Sequence, residues 1–249
     1  MSGAEFSQAL CRAFAANGLA EPTAAQSDAF FALFSLLREQ GAHMNLTAVK
    51  EMHDVILRHF VDIALAAPYF PQGARVCDVG AGGGFPTLPL AILREDLRIL
   101  AVDSTAKRMA FVKAAAAALS LPNVSVKAAR AEALGKDPLF RERFDCVCAR
   151  AVSRLNILCE LCLPLCRTGG VFLALKGAKA AQEWQEAEKG AALLGGALQK
   201  DVLLALIDDS LPADDKDASA ERHVLCIAKT KTTPAQYPRA YGAVCKRPL

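Results

Sequence analysis

Nothing in these 249 residues is apolar for long enough to cross a bilayer: the Ala/Leu stretches are broken by Lys, Arg or Pro well short of the ~20 residues a span needs. No basic, then apolar, then small-residue leader opens the chain, so no export is expected. The nine cysteines are odd in number and lack that secretory context, so they are expected as free thiols in a reducing cytoplasm. Charge of one sign is nearly absent too: 29 Lys+Arg stand against 26 Asp+Glu, and a net +3 does not mark a nucleic-acid binder. No internal repeat with a period of roughly 20–50 residues occurs. What is plentiful is apolar side chain, 53% of the chain. At roughly 100–200 residues per domain, this is one large domain or two small ones, with core enough to need no disulfide or metal.

Two kinds of segment follow each other. Residues 1–70 read as a helical cap: Leu10 and Phe14, then Phe30, Leu33, Phe34 and Leu37, then Val55, Ile56, His59, Phe60 and Ile63 recur at three-to-four spacing. From residue 75 the period changes. Short apolar runs at 75–79, 97–102, 124–128, 144–149 and 171–175 alternate with helical stretches, among them 105–119, about 154–166 and 178–194, and two more strand candidates, 202–207 and 223–228, close the series. This is α/β alternation, and it predicts a mainly parallel sheet with helices on both faces over residues 71–249. Late charge is sorted. Asp201, Asp208, Asp209, Asp214, Asp215, Asp217 and Glu221 face only Lys216, whereas residues 222–249 carry Arg222, Lys229, Lys231, Arg239, Lys246 and Arg247 and no acid. The stretch reads either as solvated loop and tail or as a basic C-terminal arm meeting phosphates, with Tyr237 and Tyr241 as stacking faces.

Asp78-Val79-Gly80-Ala81-Gly82-Gly83-Gly84-Phe85-Pro86 lies between the first strand and a helix, where open α/β sheets bind ligands. Gly80 and Gly82 suit a dinucleotide fingerprint, but Phe85 stands at its third glycine, and no Gly-Lys-Ser/Thr follows for a phosphate loop. Gly80, Gly82 and Gly84 instead resemble the G-x-G-x-G of Rossmann-type methyltransferases, which bind S-adenosylmethionine. Asp103 ends the second strand, where a carboxylate accepts from ribose hydroxyls; Asp103, Ser104 and Thr105 are equally good helix caps. Arg130-Ala131-Glu132 follows the third strand, at the turn that flanks adenine in this fold; elsewhere Glu132 would be an ordinary first-turn acid.

After strand four the chain reads Asp145-Cys146-Val147-Cys148-Ala149-Arg150-Ala151, not the Asp/Asn-Pro-Pro-aromatic of amine methyltransferases. Cys166 is not adjacent to Pro164, so no pyrimidine nucleophile is evident. Guanine N7 needs neither device, because it is a lone-pair nucleophile with no proton to lose; no catalytic base is assigned. Cys146 and Cys148 are placed on a strand face, and Cys159, Cys162 and Cys166 on a helix face, rather than in a metal knuckle. Arg150 is expected to meet a methionyl carboxylate or a substrate phosphate, Lys176 a phosphate, and His59 beside Arg58 either RNA or the core.

Together these pieces resemble the bacterial 16S ribosomal RNA guanine-N7 methyltransferase G family, first named glucose-inhibited division protein B. The resemblance runs from about residue 24 to the end, through Asn45-Leu46-Thr47-Ala48, Arg58-His59 with Asp62, the 78–86 loop, Val102-Asp103-Ser104, Lys107-Arg108, Arg130-Ala131-Glu132, Ala149-Arg150-Ala151, Leu173 to Gly177, Glu221-Arg222-His223 and the Tyr237–Leu249 tail. It implies a class I S-adenosylmethionine-dependent fold with a seven-stranded sheet and N7 methylation of one guanine in the decoding-site loop of 16S rRNA, free or in the 30S subunit, by a monomer. It implies cofactor contacts at Gly80, Gly82, Phe85, Asp103, Ser104, Thr105, Ala131, Glu132 and Arg150, and RNA contacts at Arg58, His59, Arg150, Lys176, Arg239, Lys246 and Arg247. Ala81, Gly83, Thr87, Val244-Cys245 and a longer 208–221 loop depart from its pattern. Two rivals stand beside it. A methyltransferase for a small molecule or protein would keep its activity without residues 230–249. A binding module would take the cofactor and transfer nothing.

Overall fold

The computed structural model describes residues 2–249 apart from Asn45, Ala48, Lys50 and Ala213, and the backbone alone of 41–44. Helices α1 (Gly3–Ala16) and α2 (Ala24–Met44) lead to a run in which α3 (Met52–Val55), a π-helical turn (Ile56–Val61) and α4 (Asp62–Ala66) follow without a break. Then come β1 (Arg75–Val79), α5 (Thr87–Leu93), β2 (Arg98–Asp103), α6 (Ala106–Ala118), β3 (Val124–Ala128), α7 (Ala131–Leu134) and β4 (Phe144–Arg150). The remainder is α8 (Leu155–Cys162), β5 (Cys166–Gly177), α9 (Ala180–Leu193), β6 (Gly196–Ile207), β7 (Ser219–Lys229) and α10 (Tyr241–Lys246).

The sheet has seven strands in the order β3-β2-β1-β4-β5-β7-β6. Strands β1 to β5 pair in parallel, and β7 runs antiparallel to both β5 and β6. This is the mainly parallel Rossmann-like sheet that the α/β alternation implies. Strand order reverses between β1 and β4, so the crevice at their carboxyl ends is the switch point of the sheet. Central strands are covered on both faces, which is why the middle of β4, Cys146–Ala149, is apolar without alternation and Val76, Cys77 and Val79 of β1 are all buried.

Helical residues Phe6, Phe30 and Phe60 share one buried cluster with Val76, Ile99 and Leu173 of the sheet. The rings of Phe30 and Phe60 lie 4.7 Å apart, and each buried Phe contributes roughly 1.5–3 kcal/mol. Cys77, Val147, Phe172 and Leu225 form the second cluster on the opposite face of the sheet. Asn17, just after α1, forks onto the edge strand β6: its amide donates to the Ile207 carbonyl at 2.9 Å and accepts from the Ile207 N–H at 2.8 Å. That covers backbone groups an open edge would expose.

Three expectations change. Cys166 does not continue a helical Cys159/Cys162 face; α8 ends at Cys162 and Cys166 opens β5. Pro164 is the cause: Leu163 is still helical, but the proline has no N–H with which to continue the ladder. Strands β6 and β7 outrun 202–207 and 223–228, because they zip as one antiparallel ladder from Gly196↔Lys229 to Ile207↔Ser219. The nine cysteines, which the sequence suggests as core filler, are free, but not all are core: Cys11 and Cys226 are half-buried and Cys245 is exposed.

Candidate active site

The glycine loop leaves β1 and turns at the switch point. Gly80 has φ +79°, and a Cβ there would collide with the Val152 side chain. Gly82 has φ +55°, and a Cβ there would meet nothing closer than the Gly80 carbonyl at 3.8 Å, so its open side faces free space. The Gly82 N–H donates to Asp103 Oδ2 at 3.1 Å, and Asp103 Oδ1 accepts from the Thr105 N–H at 2.8 Å. Thr105 is the N-cap of α6, yet its own side chain makes no capping bond. Asp103 therefore staples the loop to the start of α6, and each oxygen retains a second lone pair for a ligand hydroxyl. Ser104 and Thr105 beside it are exposed. On the next turn, Ala131 is buried and Glu132 half-buried in α7.

Below the loop, Asp78 is 1% exposed. Its Oδ2 accepts from the Thr87 hydroxyl at 2.6 Å, and its Oδ1 has no hydrogen-bond partner among the described residues. Burial pushes the carboxyl up to about 6, against the pull of Thr87 and of the Arg150 charge. Thr87, the departure from the family pattern, is thus the residue that satisfies half of a buried acid.

The π-helical turn carries Arg58 and His59 to the same place. Such turns are frequent at functional sites. The His59 ring stacks on Phe85, 4.1 Å between centroids and 20° between planes. Its Nδ1 lies 3.3 Å from an Arg150 nitrogen, and its Nε2 2.8 Å from the Thr47 hydroxyl. Guanidinium only donates, so Nδ1 accepts and Nε2 carries the proton. Burial and the Arg150 charge drop its pKa to about 3, which keeps the ring neutral. The Arg58 side chain points outward to Asp54, 3.0 Å away; only its carbonyl meets Arg150.

Arg150 ends β4 and pairs with Asp62 at 2.8 Å; the other Asp62 oxygen takes Arg222 of β7, also at 2.8 Å. Next to Arg150, Ala151 sits in the left-handed region at φ 56° and swings the chain across the glycine loop. These residues, with Arg154, Lys176, Glu183 and His223, line a cleft of about 510 Å³ at the ends of β4, β5 and β7. Lys176 donates to Glu183 and to the Ser153 carbonyl, each at 2.7 Å.

The structure therefore brings Gly80, Gly82, Phe85, Asp103, His59 and Arg150 around one crevice, with Lys176 beside it. It sets Arg239 apart, against Glu160 on α8, and leaves Lys246 at the end of α10 and Arg247 just past it exposed. Asn45 and Ala48 lie outside the described residues. Sequence reasoning passed over Asp62 and Arg222 as site residues. The only signal was their place in stretches already matched, because the contact joining them spans 160 positions.

A protein-family model described as GidB, rRNA small subunit methyltransferase G, matches residues 26–205. The chain belongs to this family. Ribosomal RNA small subunit methyltransferase G of Lactobacillus helveticus is 42% identical over 228 residues, 90% of this chain and 91% of that one. The Pediococcus pentosaceus protein of the same name is 43% identical over 225 residues, 88% of this chain and 89% of the other. Among solved structures, an O-methyltransferase from Bacillus cereus in complex with SAH is 19% identical, with TM-score 0.52 over 80% of this chain and 91% of that one. P. horikoshii TYW2 in complex with MeSAdo is 13% identical, with TM-score 0.51 over 68% and 63%. These two share the fold with this chain: the Rossmann-like methyltransferase fold.

Proposed function

We propose that this protein methylates N7 of one guanine in the decoding-site loop of 16S rRNA, with S-adenosylmethionine as donor. Family membership supports rRNA methylation. The choice of a ring nitrogen is carried by one observation: the two acids that line the cleft beside Arg150, Asp62 and Glu183, are already engaged. Asp62 holds Arg150 and Arg222, and Glu183 holds Lys176 and accepts from the Leu155 N–H at 2.8 Å. An exocyclic amine or a hydroxyl has a proton to surrender; N7 has none.

The residues present fit the donor. Asp103 would take the ribose hydroxyls, the open side of Gly82 would admit close approach, and Ala131 and Glu132 would read the adenine edge. Ser104, Thr105, Gly80 and Phe85 would complete the walls. When bound, S-adenosylmethionine supplies an electrophilic sulfonium methyl. The protein supplies position, a contribution that reaches about 7–11 kcal/mol for well-oriented partners. Phe85, wedged by His59, gives the crevice a rigid apolar wall that excludes water. Arg150 faces the methionyl carboxylate or the nucleotide phosphate, and Arg222 extends that positive rim. Lys246 and Arg247, with Arg58, offer exposed cations to the backbone of an RNA that the chain meets as a monomer in the cytoplasm, free or in the 30S particle.

Mapping N7-methylguanine in 16S rRNA from cells with and without the gene tests this reading. The modification at one decoding-loop guanine disappears with the gene and returns when the gene is restored. An unchanged methylation pattern refutes it.

A further inference from the structure

The stretch whose charge suggests an RNA arm is folded back and clamped. At its root, Lys229 is 1% exposed; its ammonium donates to the carbonyls of Leu163 at 2.8 Å and Leu194 at 3.1 Å, with Glu142 at 3.3 Å. The Thr233 N–H donates to Glu142 at 2.7 Å. Arg141 reaches across with its guanidinium, donating to the arm carbonyls of Thr233 at 2.6 Å and Tyr237 at 2.8 Å. The same nitrogen that meets Tyr237 also donates to the Gly135 carbonyl at 2.6 Å. Arg239 closes on Glu160, which is fully buried. A flexible tether would keep its cations for its ligand; this arm turns Lys229 and Arg239 inward.

The contacts converge on α7. At its C-terminal end, Gly135 packs so tightly on Pro238 that a Cβ would stand 2.8 Å from the proline ring. At its N-terminal end, Arg130 lies over the Tyr241 ring, 5.6 Å from the centroid. A helix of four residues has no stability of its own, and α7 buries only Ala131 and Leu134. Beyond that packing, the arm grips it at both ends.

We infer that the C-terminal arm is a positioning element of the adenine turn: it holds α7 at Arg130 and at Gly135 so that Ala131 and Glu132 stand ready for the base. Tyr241 and Arg141 are positioning residues, and they need not touch the cofactor. A turn left loose would have to be ordered on binding, and that cost would appear as lost affinity. The inference rests on the assignment of Ala131 and Glu132 to the adenine.

The test uses the full chain with Tyr241→Ala and Tyr241→Phe. Tyr241 is 39% exposed, so neither change disturbs the core. S-adenosylhomocysteine is titrated calorimetrically, a 16S decoding-loop RNA by filter binding, and thermal midpoints are compared. Tyr241→Ala weakens S-adenosylhomocysteine about two- to five-fold, the size of an exposed cation–π contact. RNA affinity and thermal midpoint stay at wild type, and Tyr241→Phe, which keeps the ring, restores the cofactor affinity. Unchanged S-adenosylhomocysteine affinity in Tyr241→Ala overturns the inference, as does a loss confined to RNA, the mark of a tether. Wild-type protein that binds no S-adenosylhomocysteine overturns the cofactor reading itself. A wild type that binds it no better than Tyr241→Ala does overturns the arm's role alone.

Discussion

Removing the Arg239 guanidinium is the most direct test of how the C-terminal segment is held. Glu160 is fully buried, and one of its oxygens accepts from both the backbone N–H and Nε of Arg239, each at 2.8 Å. Breaking a buried pair by deleting one partner costs about 3–5 kcal/mol, because the remaining charge is left without water or counter-ion. Arg239 itself is 27% exposed along its side chain, which argues for the lower end of that range. Arg239→Met should therefore destabilise the fold by about 3 kcal/mol. At about 2–4 °C per kcal/mol for a chain of this size, the midpoint falls by about 6–12 °C. Glu160→Gln should cost only about 1 kcal/mol, since the amide still accepts from the backbone and the partly hydrated cation is not stranded. The double variant should recover much of the Arg239→Met loss, a coupling that urea unfolding of all four proteins measures. An Arg239→Met loss under about 1 kcal/mol refutes the argument, as does a Glu160→Gln loss that exceeds it. The outcome also bears on truncation: deleting 230–249 strips Glu160 of its cation, so lost activity in that variant does not by itself report RNA contact.

Other outcomes follow from the same geometry. Folding raises the Asp78 pKa from 3.8 to about 6, so its contribution to stability is full below about pH 3.8 and lost as pH rises through about 6. Asp78→Asn should then be the more stable protein at pH 7.5, by on the order of 3 kcal/mol, with the advantage gone at pH 4; urea titrations showing no pH dependence of the difference would sink this. His59 and His223 should titrate apart by NMR. The His59 ring, held neutral to about 3, destabilises the fold as pH drops from about 6.5 toward that value. Burial pulls His223 down, but hydrogen bonds to Asp201 and Glu221 outweigh it and raise its pKa, so its support is lost only as pH rises through that raised value. Gly82→Asp should abolish S-adenosylhomocysteine binding in calorimetry: the side chain enters the open space and sets a second carboxylate beside Asp103. Retained binding there contradicts the loop assignment. Replacing Lys246 and Arg247 by Ala should flatten the salt dependence of RNA affinity by about 0.7–0.9 per lost phosphate contact, read from binding at several salt concentrations.

The sequence by itself determined what is local. Alternating short apolar runs and helical stretches specify a parallel α/β sheet, because strand and helix periods are written into neighbouring residues. The glycine loop and Asp103 were legible for the same reason: a turn needing positive φ at Gly80 and Gly82 demands glycine whatever the rest of the chain does. Tertiary structure alone decided which charges are available. Arg239, Lys229, Arg150 and Arg222 look alike in a charge count, yet Arg239 sits on an acid 79 positions away and Arg222 on one 160 positions away. Likewise the half-satisfied Asp78 and the neutral His59 owe their state to burial. Desolvation and pairing act through space, so a net charge of +3 describes the chain without describing any of its surfaces.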